Sequence, residues 1–450
     1  MVRAVVFAGL AGCASWPAQQ APPCDPQAQT AGSAALTWSA TATGAPTNVL
    51  LIGLDTLRRD RIGRYNPEAA DTPFLDGLLR DGLALDDHRS CSNWTYPSML
   101  CVLTGQDLLD VGFFPSANNA DRPDVVPGSI AMLGDWMHTF GYTTGIVSGN
   151  LLLGPTYGLD RAYGDRVVLP GESAGVVASQ AILTMTRLQE ADAPWFLHVH
   201  FQDPHLPYDP PDSYLDALDS LPPIDTDVST REGLDAIHED LDELSAADRA
   251  VLQSHLRVLY DAQISYLDDQ LAQMFEYFDA QGWLEDTLVV VVSDHGEQLF
   301  DHGDYAHQKG LYHEESDAIA ALWAKGIEPT RWTAPTTHAD LVPTVLDALA
   351  LPRPTKVTGR IVGTRVDTCA RYADVLDDDG GSQSVDHDNL RLIYHWDGGI
   401  ELYDRTSDPT ESVDLHTPGN QDSAALWSLL GDRVTTLAEL HGKKPDPPEL

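Results

Sequence analysis

Three separated stretches each run from a continuous apolar segment into groups able to bind a cation or move a proton. Val49 to Leu54 is followed by Asp55, Trp195 to Phe201 by Gln202-Asp203-Pro204-His205, and Leu288 to Val292 by Ser293-Asp294-His295-Gly296-Glu297. One acid at a strand end is commonly a helix cap. Three such ends together weaken that reading. Crowded carboxylates repel unless a cation neutralises them, and two Asp with one neutral His form a suitable donor set for a divalent metal. Asp55, Asp294 and His295 are therefore the expected ligands of one such ion.

A fourth stretch, Ser92 to Gly105, offers a hydroxyl. Pro97 suits the first turn of a helix and Gly105 its end, so Thr95 is expected just before the N-terminus, where unpaired N–H groups and the dipole favour an anion. Alone, Thr95 is a helix cap. Beside a metal it becomes a candidate nucleophile facing an oxyanion site. Arg58-Arg59-Asp60-Arg61, three cations in four residues, reads either as a solvated loop or as an anion-binding element.

For these groups to meet, the strands that carry them must be neighbours in one sheet and deliver them to its carboxyl edge, where open α/β sheets bind ligands. Between residues 47 and 350, β-branched apolar runs alternate with helical patterns, which predicts an α/β fold with a mainly parallel central sheet sandwiched by helices. Tyr142 to Ser148 reads as a further strand. Thr72-Pro73 starts a helix closed by Gly82, and steps of three and four from Leu256 to Phe278 predict a long helix stopped by Gly282. Residues 210 to 250, acidic and Pro-bearing, read as an insertion shaping the entrance. After about residue 350, short strands such as Leu390 to Trp396 and a helical pattern near 422 to 440 predict a smaller C-terminal α+β domain, 351–450.

The chain has 450 residues, 43% of them hydrophobic and 21% charged, which excludes wholesale disorder. With 27 basic and 68 acidic residues its formal net charge is −41, which excludes a nucleic-acid partner or an anionic-lipid scaffold. Met1-Val2-Arg3, the apolar run Ala4 to Leu10 and Leu10-Ala11-Gly12-Cys13 describe an export signal over 1–13, too short to span a bilayer. The last four residues resemble a bacterial lipobox, which implies lipidation of Cys13 and an extracytoplasmic protein held to the membrane by that anchor alone. Without lipidation the protein would be secreted. Asn93-Trp94-Thr95 spells a glycosylation sequon, which this bacterial signal discounts. Residues 14–46, rich in Ala, Gln, Pro and Thr, read as a flexible linker. Cys24, Cys91, Cys101 and Cys369 then remain, and four cysteines allow three pairings; Cys91 with Cys101 would brace the Thr95 segment.

With the metal set in view, the chain resembles the sulfatase family of the alkaline phosphatase superfamily. The resemblance rests on Asn48 to Arg58, Thr72 to Asp76, Leu197 to Tyr208, Tyr266 to Gln270, Ser293 to Glu297 and Glu401 to Asp404 with Asp408-Pro409, and spans most of 47–440. It implies a hydrolase of anionic esters in which Asp55, Asp294 and His295 hold the metal and Thr95 attacks. His205 would protonate the leaving oxygen or bind the anion, and Lys309 would neutralise its charge. Arg58, His307 and His313 are expected to meet the substrate. His198 and His200 alternate on one strand face and read as hydrogen-bonded core groups.

Two departures from the family pattern redirect the chemistry. Typical sulfatases carry a Cys followed by x-Pro-x-Arg that is oxidised to formylglycine; here the Cys position is Thr95, the Arg position is Met99, and no formylglycine forms. Where many relatives have a second metal-binding Asp, this chain has Thr56. An ester of Thr must be opened by a second attack of water, a route suited to phosphate or phosphonate esters, with sulfate esters still open. The ion would be Mn²⁺, Zn²⁺ or Ca²⁺, and a second zinc would need Asp203, His205 and His338. A transferase using the same residues, or a non-catalytic relative binding sulfated or phosphorylated glycans at the cell surface, are the alternatives.

Overall fold

The computed structural model describes residues 46–450 except 116–123, 225, 241–243, 309, 364–369, 377–379 and 449. The export signal with Cys13, the linker up to residue 45, Cys24, Cys369 and Lys309 thus lie outside the described residues.

Among the described residues, eight strands form the central sheet in the order Thr330–Trp332, Leu83–Leu85, Ala320–Trp323, Thr287–Ser293, Asn48–Leu54, Trp195–Phe201, Thr143–Ser148 and Asp165–Val168. Ala320–Trp323 runs against both its neighbours, and the other pairings are parallel. Asn48–Leu54 is continuously apolar because helices cover both faces of the sheet. Leu50, Ile52 and Leu54 point into a core with the helices Pro73–Asp81, Ala174–Leu188 and Ala246–Ala280. Val49 and Leu51 point the opposite way, into a core with Met99, Leu100 and Leu103 of the helix Thr95–Thr104 and with Leu341–Ala348.

Register does the positioning. Leu54 is paired with Phe201 on one side and Ser293 on the other, so the three strands end level. The ladder then runs one step further: Asp55 N donates to Phe201 O at 3.1 Å and Asp294 N to Leu54 O at 3.1 Å. The two carboxylates are thereby placed side by side.

The long helix begins at Ala246 rather than near Leu256, because Ser245 caps it by accepting from Asp248 N. The insertion ahead of it holds the helix Arg231–Asp240, whose Leu234 and Ile237 join the first core and whose Leu234 O accepts from Tyr305 Oη at 2.8 Å. It therefore packs on the loop that follows the His295 strand.

The C-terminal region is a four-stranded antiparallel sheet, Arg371–Leu376, Gly381–His387, Leu390–His395 and Ile400–Asp404, with the helix Gln421–His441 across it. It is joined by buried ions to a three-stranded sheet of His88–Arg89, Asp317–Ala318 and Thr336–Thr337. Arg391, fully buried, reaches Asp386, Asp317 and Glu411, while Arg89 pairs with Asp317 and Asp386 at 2.7 Å each. Its first strand also grips the chain leading to Thr95: Asp374 N donates to Cys91 O at 3.0 Å and Ser92 Oγ donates to Asp374 O at 2.6 Å.

Candidate active site and metal centre

Asp55, Asp294 and His295 come together at the carboxyl edge of the sheet, their donor atoms all within 4.8 Å of one another and all three residues fully buried. Asp294 Oδ1 is taken by Thr56 N at 3.0 Å and His295 N at 2.7 Å, which leaves Oδ2 without a hydrogen-bond partner. His295 donates from Nδ1 to Gly296 O at 2.8 Å, so its unpartnered Nε2 carries a lone pair, 3.7 Å from Asp294 Oδ2 and 3.8 Å from Asp55 Oδ1. Buried polar atoms left open in this way are costly unless something binds them.

The charges agree. Burial and the charge of Asp55 push the Asp294 carboxyl well above its usual range; burial opposes the charge on Asp55 too, but the His205 and His200 rings hold that carboxyl well below its range. Two carboxylates at odds in this way are what a divalent cation stabilises, and the donor set, two oxygens and one imidazole nitrogen, fits one.

Thr95 opens the helix Thr95–Thr104 as its first residue, preceded by Trp94 in extended conformation, so the hydroxyl belongs to the first turn and does not cap it. The helix ends at Gly105, whose φ of 62° suits glycine, and a side chain there would run into Val342. Thr95 Oγ1 lies 3.4 Å from Asp55 Oδ1. Cys91 and Cys101 form a disulfide across this segment, and Ser90 Oγ donates to Asp294 O at 2.6 Å, tying the Thr95 segment to the cage backbone.

A row of imidazoles flanks the cage. The His205 ring centroid is 5.1 Å from that of His307, which is 4.8 Å from that of His295. His307 Nδ1 meets Glu297 Oε1 at 3.0 Å, and the other oxygen of this fully buried carboxylate accepts from Tyr208 Oη. Two loops, one after Trp195–Phe201 and one after Tyr305–Ala306, thus present half-buried rings, His205 and His307, beside the cage.

A sequence model of the Sulfatase family matches residues 47–351, over half the chain. The chain belongs to the sulfatase family. It is similar to the Escherichia coli protein described as uncharacterized sulfatase YidJ, with 22% identity over 435 residues and 82% of each chain covered. The solved structure of BT1596, a 2-O GAG sulfatase, superposes with a TM-score of 0.68 at 16% identity, covering 90% of this chain and 95% of that one. The phosphonate monoester hydrolase of Agrobacterium radiobacter superposes with a TM-score of 0.65 at 20% identity, covering 88% and 96%. The family is one of ester hydrolases that use a divalent metal, and this chain is an ester hydrolase of that family.

In this sulfatase-family chain several sequence expectations need correction. Arg58 is not free to meet a substrate: the residue is 2% exposed and each guanidinium nitrogen is engaged, with Asp60 through two bonds of 2.7 and 2.9 Å, Asp301 at 2.6 Å and Glu297 O at 3.1 Å. His313 belongs to a different cluster, with Glu314 at 2.9 Å and its backbone N–H on Glu411. The set for a second zinc does not gather. His338 donates from Nε2 to Asp294 O at 2.8 Å and accepts at Nδ1 from His88, at 2.9 Å, while Asp203 is bound by Gln263. Among the described residues, Asp55, Asp294 and His295 are the group able to hold a metal.

His198 is a hydrogen-bonded core group, its Nδ1 meeting Tyr163 Oη at 2.9 Å. His200 is not: it is fully buried, makes no hydrogen bond and aims Nε2 at Asp55 Oδ2 across 3.7 Å. Lys309 lies outside the described residues; its neighbour Gly310 accepts from Asn93 Nδ2 and donates to Glu315 Oε1 at 3.1 Å.

Asn150 was absent from the sequence reading. Its amide donates to Asp55 Oδ2 at 2.5 Å and to Thr95 Oγ1 at 3.3 Å. The signal was available in the sequence, since Asn150 sits two residues beyond the strand ending at Ser148, on the same carboxyl edge.

Proposed function

We propose that this chain is a metal-dependent hydrolase of anionic esters that works through Thr95 and a covalent Thr ester, with phosphate or phosphonate esters favoured over sulfate esters, on an N-terminal lipid tether outside the cytoplasm. The observation that carries it is the Thr95 hydroxyl beside Asp55 Oδ1, in the first turn of a buried helix and at the rim of a carboxylate-imidazole cage.

Asp55, Asp294 and His295 would hold the ion, which when bound acidifies the hydroxyl and neutralises charge developing on the ester. Thr95 Oγ gives its proton to the Asp55 carboxylate it faces as it bonds to phosphorus or sulfur, and the bond to the leaving oxygen, in line with the attack, breaks. The first-turn N–H groups face the charge that develops. His205 gives a proton to the departing oxygen, and Lys309 is assigned to the anion. Water then attacks the central atom, giving a proton to His205; the bond to Oγ breaks, and the proton held by Asp55 returns to Thr95.

The preference for phosphorus follows from Thr95 itself. A formylglycine hydrate ejects its group by collapsing to an aldehyde; Thr has no such exit. Cys91 and Cys101 are joined to each other, so neither supplies one. The likeness to a phosphonate monoester hydrolase supports this choice.

The test is turnover of aryl phosphate, phosphodiester, phosphonate and sulfate esters with Mn²⁺, Zn²⁺ or Ca²⁺ added. Turnover of a phosphorus ester in preference to the sulfate ester supports the proposal. No turnover of any ester with any ion overturns it in favour of a glycan-binding role.

A further inference from the structure

The reaction set out above gives Asn150 no part, yet both polar atoms of its side chain are held by hydrogen bonds at the cage. Ser148 Oγ accepts from Asn150 N at 3.0 Å and donates to Asn150 O at 3.0 Å, which fixes the turn after the strand Thr143–Ser148. Asn150 Oδ1 accepts from Leu152 N at 2.7 Å, so the amide can present only its nitrogen to the cage. The residue is 4% exposed. Both hydrogens of Nδ2 are used, one on Asp55 Oδ2 and one on Thr95 Oγ1.

We propose that Asn150 is a catalytic residue of that reaction, whose amide grips the nucleophilic oxygen and the outer oxygen of Asp55 at once. The proposal rests on Thr95 being the nucleophile. A hydroxyl oxygen has two lone pairs and one hydrogen. With one lone pair held by Nδ2–H, the O–H lies toward Asp55 Oδ1, 3.4 Å away, and the second lone pair is left for the incoming phosphorus or sulfur. Thr95 is then aimed before substrate arrives, which removes a rotational search from the attack. The bond to Asp55 Oδ2 turns Oδ1 toward the nucleophile and the cage. A neutral amide does this without competing with a metal ion for the carboxylate and without itself changing charge with pH.

The experiment compares Asn150→Ala and the isosteric Asn150→Asp with the parent enzyme, each assayed at saturating metal for kcat, KM and the rate of Thr ester formation in a rapid quench, with metal content and melting temperature measured alongside. Expected is a fall in kcat and in ester formation of about 100-fold or more in both variants, the scale of losing one aimed donor, with KM, metal content and melting temperature held. Near-parental kcat in Asn150→Asp, which keeps the shape and deletes both donors, overturns the proposal. So does a rise in KM with kcat held, or a loss of turnover that tracks loss of metal or of folding. Thr95→Ala run in parallel separates the two levels. Full turnover there overturns the nucleophile and this proposal with it, whereas lost turnover there with Asn150→Ala unaffected overturns this proposal alone.

Discussion

Thr95 Oγ1 stands 3.4 Å from Asp55 Oδ1, although forty positions separate the two residues and they belong to different layers of the fold. Asp55 ends a central strand; Thr95 starts a helix packed on one face of the sheet through Met99, Leu100 and Leu103. A helix so placed points its unpaired N–H groups at the same edge where the strands deliver their acids. The carboxylate-imidazole cage, the Thr95 hydroxyl and the helix N-terminus are thus brought together by one packing arrangement.

Removing the hydroxyl tests this arrangement at its centre. Thr95→Ala is expected to lower kcat by about a thousandfold or more, while Thr95→Ser keeps measurable turnover. Steady-state kinetics on the best ester of the panel measure both, with circular dichroism to show that each variant is folded.

The cage predicts a distinct phenotype. Asp294→Asn and His295→Ala remove single donors from a set of three, so each should lose bound metal on dialysis where the parent retains it. Elemental analysis of the dialysed proteins reads this directly. Turnover of the chelated parent should return on adding Mn²⁺, Zn²⁺ or Ca²⁺, and turnover of the two variants should not.

Much of this arrangement was legible before any coordinates. Strands buried on both faces announce themselves by unbroken apolar runs, so Asn48–Leu54, Trp195–Phe201 and Thr287–Ser293 and the polar groups at their ends were found within a residue. What stayed hidden depends on partners remote in sequence. Arg58 looks like a free cation until Asp301, 243 positions away, is folded against it. His200 and His198 occupy equivalent alternating positions, yet Tyr163 satisfies one and Asp55 faces the other. Asn150 carries no charge and so drew no notice, though its strand ends on the same edge. Direction and burial are local properties of a pattern; whether a donor is already taken is not.

A pH dependence follows from His302, which meets Glu314 at 2.6 Å and Glu411 O at 2.9 Å and stacks on Tyr312. Burial alone would lower its pKa, but the bond to Glu314 and its charge lift it to about 9. A histidine whose folded pKa lies above its unfolded value contributes stability that is complete below about 6.5 and fades as pH rises through the folded value. His302→Gln should therefore melt below the parent at pH 6, and the gap should close above pH 9. Thermal melts across that range measure the difference.

The Cys91–Cys101 bond closes a loop of ten positions around the Thr95 segment. Constraining the unfolded chain over a loop of that length contributes about 2–3 kcal/mol, so the Cys91→Ser/Cys101→Ser pair should lower the unfolding free energy by about that amount. Denaturant titration checks the value.

The most direct measurement of the central claim is accurate-mass peptide mapping of enzyme acid-quenched during turnover of its best ester. The account predicts one phosphoryl or sulfuryl adduct, on the peptide that carries Thr95 and assigned to that residue by fragmentation, absent from Thr95→Ala. Steady turnover with no adduct at any quench time, or an adduct on another side chain, would contradict it.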